Sequence, residues 1–239
     1  MSNYQAITLK VKDYKDYDKL LTCLVQDLGK INVILENHKS NIDYSLVEPM
    51  CLVDLAIAKI PNTDCLYYLS QGKQIRGYKN IRNSQLKVAY TIYFFNLVSN
   101  LIDYCETESG TFELLKGYLN LVSLVNDKDL KLYNSYMSLK LIKILGLGEQ
   151  PKWCFNCEKE ISEYIYLDNK GLAYCGECIN NIKNVKISKI KWNLLINTKI
   201  TDLTEIKLND DEIKAIELYI IGLIGKEVQG YKYLNLIRN

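Results

Sequence analysis

Histidine is nearly missing and arginine is scarce. His38 is the only histidine in 239 residues, and arginine stands only at Arg76, Arg82 and Arg238. One histidine cannot build an H-E-x-x-H zinc helix. Nor does the sequence hold a Gly-rich phosphate loop ending in Lys-Ser/Thr, or the Gly-x-Ser-x-Gly turn of a serine hydrolase. Clear carboxylate clusters are absent too. Asp127 and Asp129 read as helix-start residues, where the helix dipole favours acids. These absences exclude the common hydrolase and nucleotide-hydrolysing classes and lead us to expect a protein without catalysis.

Long apolar runs are also absent. No stretch approaches the roughly 18 uninterrupted apolar residues of a membrane span. Lys10, Lys12 and Asp13 interrupt the first apolar stretch, so no signal peptide and no membrane partner are expected. Cys23, Cys51, Cys65 and Cys105 are scattered, which is not the pattern of a disulfide framework. The expected compartment is a reducing cytoplasm.

What is present is an ordinary globular composition, 48% hydrophobic and 24% charged, on a chain long enough for two small domains or one with an insert. The first third reads as β. Ile7, Leu9 and Val11 alternate with polar residues, Lys19–Val25 leads to a turn at Asp27–Gly29, and Ile31, Val33 and Leu35 alternate again. Cys51–Ile60 and Cys65–Leu69 are further extended candidates. About five short strands in this space suggest a small barrel. The period then changes. Ser84–Cys105, Phe112–Val125 and Leu130–Leu145 carry helical spacing, the last ended by Gly146 and Gly148. Helix returns at Ser188–Asn197 and Asp210–Ile224, with Ser188 and Asn209 as N-caps, and a short one is expected at Tyr231–Ile237. The class is therefore α+β. A β-barrel domain spans 1–79, a helical bundle 80–150 and 183–239, and a cysteine-bearing insert 151–182.

That insert carries the most specific signal. Cys154-Phe-Asn-Cys157 and Cys175-Gly-Glu-Cys178 are separated by 17 residues. Two thiolates two residues apart can face one ion from a tight turn, and the separation falls in the roughly 15–20-residue window of four-thiolate zinc sites. Tyr164–Leu167 and Leu172–Tyr174 read as the hairpin returning the second pair. Four thiolates leave zinc no open position, so the expected ion is structural. It supplies folding free energy to a segment too small for its own core.

Charge is distributed unevenly. Residues 1–50 hold six lysines against seven acids, so a nucleic-acid contact there would rest on stacking by Tyr4, Tyr14, Tyr17 or Tyr44. Between Asp64 and Asp103 no acid occurs, and Lys73, Arg76, Lys79, Arg82 and Lys87 surround Tyr78. Between Glu177 and Asp202 again no acid occurs, with Lys183, Lys186, Lys189, Lys191 and Lys199. Such runs are candidates for phosphate contact or for an acidic protein tail. They are also what a solvated surface face looks like. His38 reads as a loop residue, and Trp153 and Trp192 as packing residues.

This order of elements resembles the bacterial recombination mediator family RecO. The likeness is carried by Ala6-Ile-Thr-Leu9 with Asp13-Tyr14 and Asp18-Lys-Leu-Leu-Thr22, by Leu28-Gly-Lys-Ile31, by Leu139–Leu147 before the first cysteine pair, by Gly171-Leu-Ala-Tyr-Cys175, and by Ile221–Leu234. The chain resembles a divergent member of that family. Leu35-Glu-Asn-His-Lys-Ser40 stands where the family often has a basic, glycine-containing segment, and Asp16-Tyr17 replaces a usual glutamate. The resemblance implies an N-terminal OB-fold and binding of single- and double-stranded DNA with annealing of complementary strands. It implies partnership with RecR and with the C-terminal tail of the single-stranded DNA-binding protein, and indirect assistance to RecA. It implies no enzymatic activity and a place at the nucleoid during repair.

Overall fold

The protein is described by a computed structural model covering residues 2–15, 17–36, 44–107, 110–147, 150–179, 184–225 and 234. It forms two compact units, Met1–Val125 and Asn126–Asn239.

In the first unit, β1 (Ser2–Tyr14), β2 (Asp18–Val25), β3 (Gly29–Leu35), β4 (Leu52–Lys59) and β5 (Leu66–Arg76) close a barrel in the order β1-β2-β3-β5-β4. Alternation dictates its interior. Leu21, Cys23 and Val25 of β2 meet Ile31, Val33 and Leu35 of β3, and Val53, Leu55, Ile57 and Leu69 complete the core. Strand β1 serves two neighbours, pairing with β2 and with β4. A register shift between Thr8 and Lys10 bends it from one to the other. The parallel pairing of Asn32–Ile34 with Leu66–Tyr68 closes the ring and removes the free edges.

Strand β5 is longer than the expected Cys65–Leu69. Its second half, Ser70–Arg76, pairs with β4. Its polar side chains face outward there and hide the strand from an apolar-periodicity reading. Short α1 (Lys79–Arg82) leads to α2 (Gln85–Leu101) and α3 (Thr111–Leu124). Phe94 of α2 stacks on Tyr118 of α3 with centroids 3.9 Å apart. Contacts of α3 with α1, α2 and β1 place these helices with the barrel, where the sequence reading grouped them with the later ones.

Helix α2 stops at Leu101 rather than reaching Cys105. Lys30 explains the stop. Its buried Nζ donates to the Ile102 carbonyl and, at 2.7 Å, to that of Ser99. The ammonium thus caps the negative end of the helix. Burial lowers its pKa, against the opposing pull of Asp103 and Glu106. The chain then turns back so that Tyr104 bridges to Lys30. Gly29, at φ +73°, lets this segment approach, since a Cβ there would meet the Glu106 carbonyl oxygen at 2.0 Å. The same return brings Cys105 to Cys65, and the two form a disulfide. The sequence reading took both as isolated thiols. They lie 40 positions apart, and only the fold brings their Cα atoms to 5.6 Å.

The second unit contains α4 (Leu130–Ile144), β6 (Tyr164–Asp168), β7 (Ala173–Tyr174), β8 (Asn184–Ser188), α5 (Lys189–Asn197) and α6 (Asp210–Ile224). The sheet order is β7-β6-β8. Ile165, Leu167 and Ile187 are buried on the face toward α6. Strand β8 was not expected. Within its five residues only Val185 and Ile187 are apolar, too short an alternation to stand out. It pairs with β6, so the insert's sheet continues past residue 182. Ser188 caps α5 as expected, accepting from the Lys191 backbone N–H at 3.2 Å. Asn209 and Glu212 form a reciprocal capping box on α6. Trp192 is fully buried, edge-on to Tyr219. Of the expected helix at Tyr231–Ile237, all but Leu234 lies outside the described residues.

Candidate metal centre and basic surfaces

Two tight turns build the cysteine cluster. In the first, Glu158 N–H donates to the Cys154 carbonyl at 2.9 Å, and Glu158 itself takes a left-handed φ of +57°. In the second, Cys178 N–H donates to the Cys175 carbonyl at 3.2 Å. A bond from Phe155 N–H to the Ala173 carbonyl, 2.7 Å long, ties the first turn to β7 and so to the second pair.

The hairpin between the pairs is set by Asp168, whose Oδ1 accepts from the N–H groups of Lys170 and Leu172, both at 2.9 Å. Gly171 completes the turn at φ +80°. A Cβ there would lie 2.2 Å from the Leu218 carbonyl oxygen of α6.

The outcome is four Sγ atoms within 4.8 Å of one another, from Cys154, Cys157, Cys175 and Cys178. Zinc–sulfur bonds of about 2.3 Å in a tetrahedron require sulfur separations of about 3.8 Å. The Cys157–Cys175 separation is 3.8 Å. The donor set and its size fit a zinc ion bound by four thiolates. At Cys154 burial opposes the thiolate, but the N–H groups of Cys157, Cys175 and Asn156 overcome it and hold the thiol down at about 6. The Lys159 N–H pulls Cys157 down, yet burial and the three neighbouring sulfurs prevail and push it up to about 12. A cluster that crowds four sulfurs and disfavours their joint ionisation is one that a dication stabilises.

The basic residues fare unequally. Lys73 stands exposed on β5, 3.9 Å from Asp54, which the β4–β5 register sets opposite it. Arg76 is exposed, donates to Asn120 Oδ1 at 2.8 Å and lies 4.8 Å from the Tyr78 ring. Lys79 is exposed on α1. Arg82 is engaged by Glu48 at 2.6 Å and by the Pro49 carbonyl and Cys51 Sγ. Lys87 is buried in α2, and Tyr78, expected among exposed cations, is buried as well. The helix period turns Lys87 inward, which an unsigned charge run does not reveal.

In the second unit, Lys186 is exposed on β8 and lies 4.8 Å from the Tyr164 ring. Lys189 is held by the Ile161 carbonyl at 2.6 Å and Glu160 at 3.4 Å. Lys191 is paired with Glu212 at 2.8 Å. Lys199 is exposed, and Lys183 and His38 lie outside the described residues. Of the barrel tyrosines, Tyr17 is 78% exposed, Tyr4 and Tyr14 are half-buried, and the side chain of Tyr44 lies outside the described residues. Trp153, read as a packing residue, is 63% exposed.

The chain matches family models over nearly its whole length, "Recombination protein O N terminal" at residues 1–78 and "Recombination protein O C terminal" at 82–232. This chain belongs to the RecO family.

Among similar proteins is the DNA repair protein RecO of Clostridium perfringens, 28% identical over 235 residues, covering 95% of this chain and 92% of that one. That of Caldicellulosiruptor bescii is 24% identical over 243 residues, covering 98% of each. The RecO N-terminal match ends as β5 gives way to α1, and the C-terminal match contains the four-cysteine centre. RecO membership makes this a DNA repair protein. Among the described residues no helix is long and apolar enough to cross a membrane.

Proposed function

We propose that this RecO-family chain is a non-catalytic mediator of recombinational repair. It binds single- and double-stranded DNA, anneals complementary strands, and works with RecR and the tail of the single-stranded DNA-binding protein to help place RecA. It acts in the cytoplasm, at the nucleoid while repair proceeds, and carries one structural zinc. The observation that carries the reading is the closed barrel with its OB strand order, a fold suited to tracking a single strand. Exposed Tyr17, Lys73, Arg76 and Lys79 supply ring and charge on that unit. For the acidic tail we propose α5. Ile190, Leu194 and Asn197 line one stripe there, and Lys143 donates to Asn197 Oδ1.

The test is binding of a labelled oligonucleotide and strand annealing by zinc-loaded protein across a salt series. Both are expected at low salt. Replacing Lys73 and Lys79 by Gln should reduce the slope of log affinity against log salt by about 0.7 per lost contact. Absence of binding and annealing at low salt overturns the reading.

A second reading is a family scaffold without direct DNA affinity. It is favoured by the acids Glu48, Asp54, Glu160 and Glu212 beside Arg82, Lys73, Lys189 and Lys191. Under it, RecR and the single-strand-binding protein are captured without DNA, and neutralising the basic runs changes nothing.

A further inference from the structure

The outer face of the small zinc sheet is aromatic. Tyr164 and Tyr166 alternate with the buried Ile165 and Leu167, so they share the face away from α6. Register places Tyr174 of β7 and Lys186 of β8 directly beside Tyr166 on either side. Phe155 extends the row, its ring edge-on to Tyr174 with centroids 5.9 Å apart. Trp153 lies two positions before it in the chain. The two flank the buried Cys154, and both are 63% exposed. Tyr164 is 41% exposed, with the Lys186 ammonium over its ring.

Nothing in the fold requires these rings to be outside. The unit's core is complete beneath them, with Trp192 and the aliphatic residues of the sheet's inner face fully buried. A contiguous run of exposed rings marks a surface that meets a partner.

We infer that this face is a stacking platform for the bases of a single-stranded nucleic acid, with Lys186 beside a backbone phosphate. The inference rests on the proposed nucleic-acid binding and adds a second contact surface, outside the barrel. Three features favour bases over a protein partner. The exposed groups are rings in a row on a sheet, as stacking requires. The cation lies over the Tyr164 ring within that row, where a strand bringing a phosphate beside its bases would draw it off the ring. Of the acids nearby three are engaged, while Glu158 and Glu163 are exposed. Glu160 and Glu177 pair with Lys189 and Lys159, and Asp168 accepts two backbone N–H groups and the Tyr174 hydroxyl. Among the described residues of the face Lys186 is the one cation that the register sets beside the rings, so binding here depends on stacking more than on salt.

The experiment uses the full zinc-loaded chain, its zinc content checked by elemental analysis, and a labelled oligothymidylate. Phe155→Ala and Tyr164→Ala are each expected to weaken single-strand binding about fivefold or more. Binding to a duplex, whose bases are already stacked, should change little. Phe155→Tyr and Tyr164→Phe keep the rings and should keep the affinity. Lys186→Gln should lower the salt slope by about 0.7. Trp153 emission should be quenched on binding, because the other tryptophan, Trp192, is buried. Tyr164 lies outside both ligand turns, so its variant tests the face without disturbing the metal. If wild type binds and the Tyr164→Ala, Phe155→Ala double variant binds equally well, the platform is overturned while the wider reading stands. If wild type does not bind, both fall together.

Discussion

At the scale of single residues, the cysteines divide by their surroundings. Cys23 is fully buried in the barrel, which pushes its thiol up to about 12 and leaves it an inert apolar group. Cys154 and Cys157 sit among backbone donors and other sulfurs, in a cluster that could hold a metal ion. Replacing Cys157 by Ser should remove the bound zinc and lower the thermal midpoint of the chain. Zinc retained at one per chain by elemental analysis would contradict the assignment. The pH dependence follows in sign. A Cys157 thiol at about 12 is protonated near neutrality, so zinc entry must expel that proton, and affinity must fall as pH falls. Calorimetry in buffers of different ionisation enthalpy should register proton release on zinc binding. The ligand set was legible in the sequence because its information is local, two residues within each pair and one hairpin between them. The disulfide partners Cys65 and Cys105 were not legible, since their meeting depends on how α2 ends and on Lys30.

At the scale of elements, turns decide register and neighbours. The Asp168–Gly171 turn holds the zinc hairpin against α6 through a backbone approach that leaves no space for a side chain. Gly171→Ala should therefore destabilise the second unit by about 1–3 kcal/mol, combining a left-handed φ with a collision against backbone. Gly176→Ala is the control. Its Cβ would make ordinary contact with the Tyr166 ring at 3.7 Å and should cost little. Thermal denaturation of the two zinc-loaded variants checks this, and equal losses would count against the packing described. Elements with a clear apolar period, such as β2, β3, α3 and α6, could be read in advance. Strand β8 and the outer half of β5 could not, because their polar faces carry lysines and mask the period.

At the scale of the whole molecule, the two units are stabilised differently. The first has a closed barrel with a continuous apolar core. The second contains a sheet beside a four-cysteine cluster that could hold a metal ion, and a bound ion would stabilise its outer part. Chelation should therefore accelerate amide exchange in Tyr164–Ser188 while the barrel strands stay protected. Uniform loss of protection in both units would overturn this division.

The sequence by itself determined the four-cysteine cluster, the barrel's alternating strands, the helix caps at Ser188 and Asn209, and the kinship with RecO. Each of these is written in short-range spacing. The tertiary structure alone decided which cations remain free. A stretch without acids in sequence is not a stretch without acids in space. Antiparallel pairing sets Asp54 opposite Lys73, α6 brings Glu212 to Lys191, and the helix period buries Lys87. Tertiary structure alone also decided that Trp153 faces solvent while Trp192 fills a core, because burial depends on what packs above a ring and not on the ring itself.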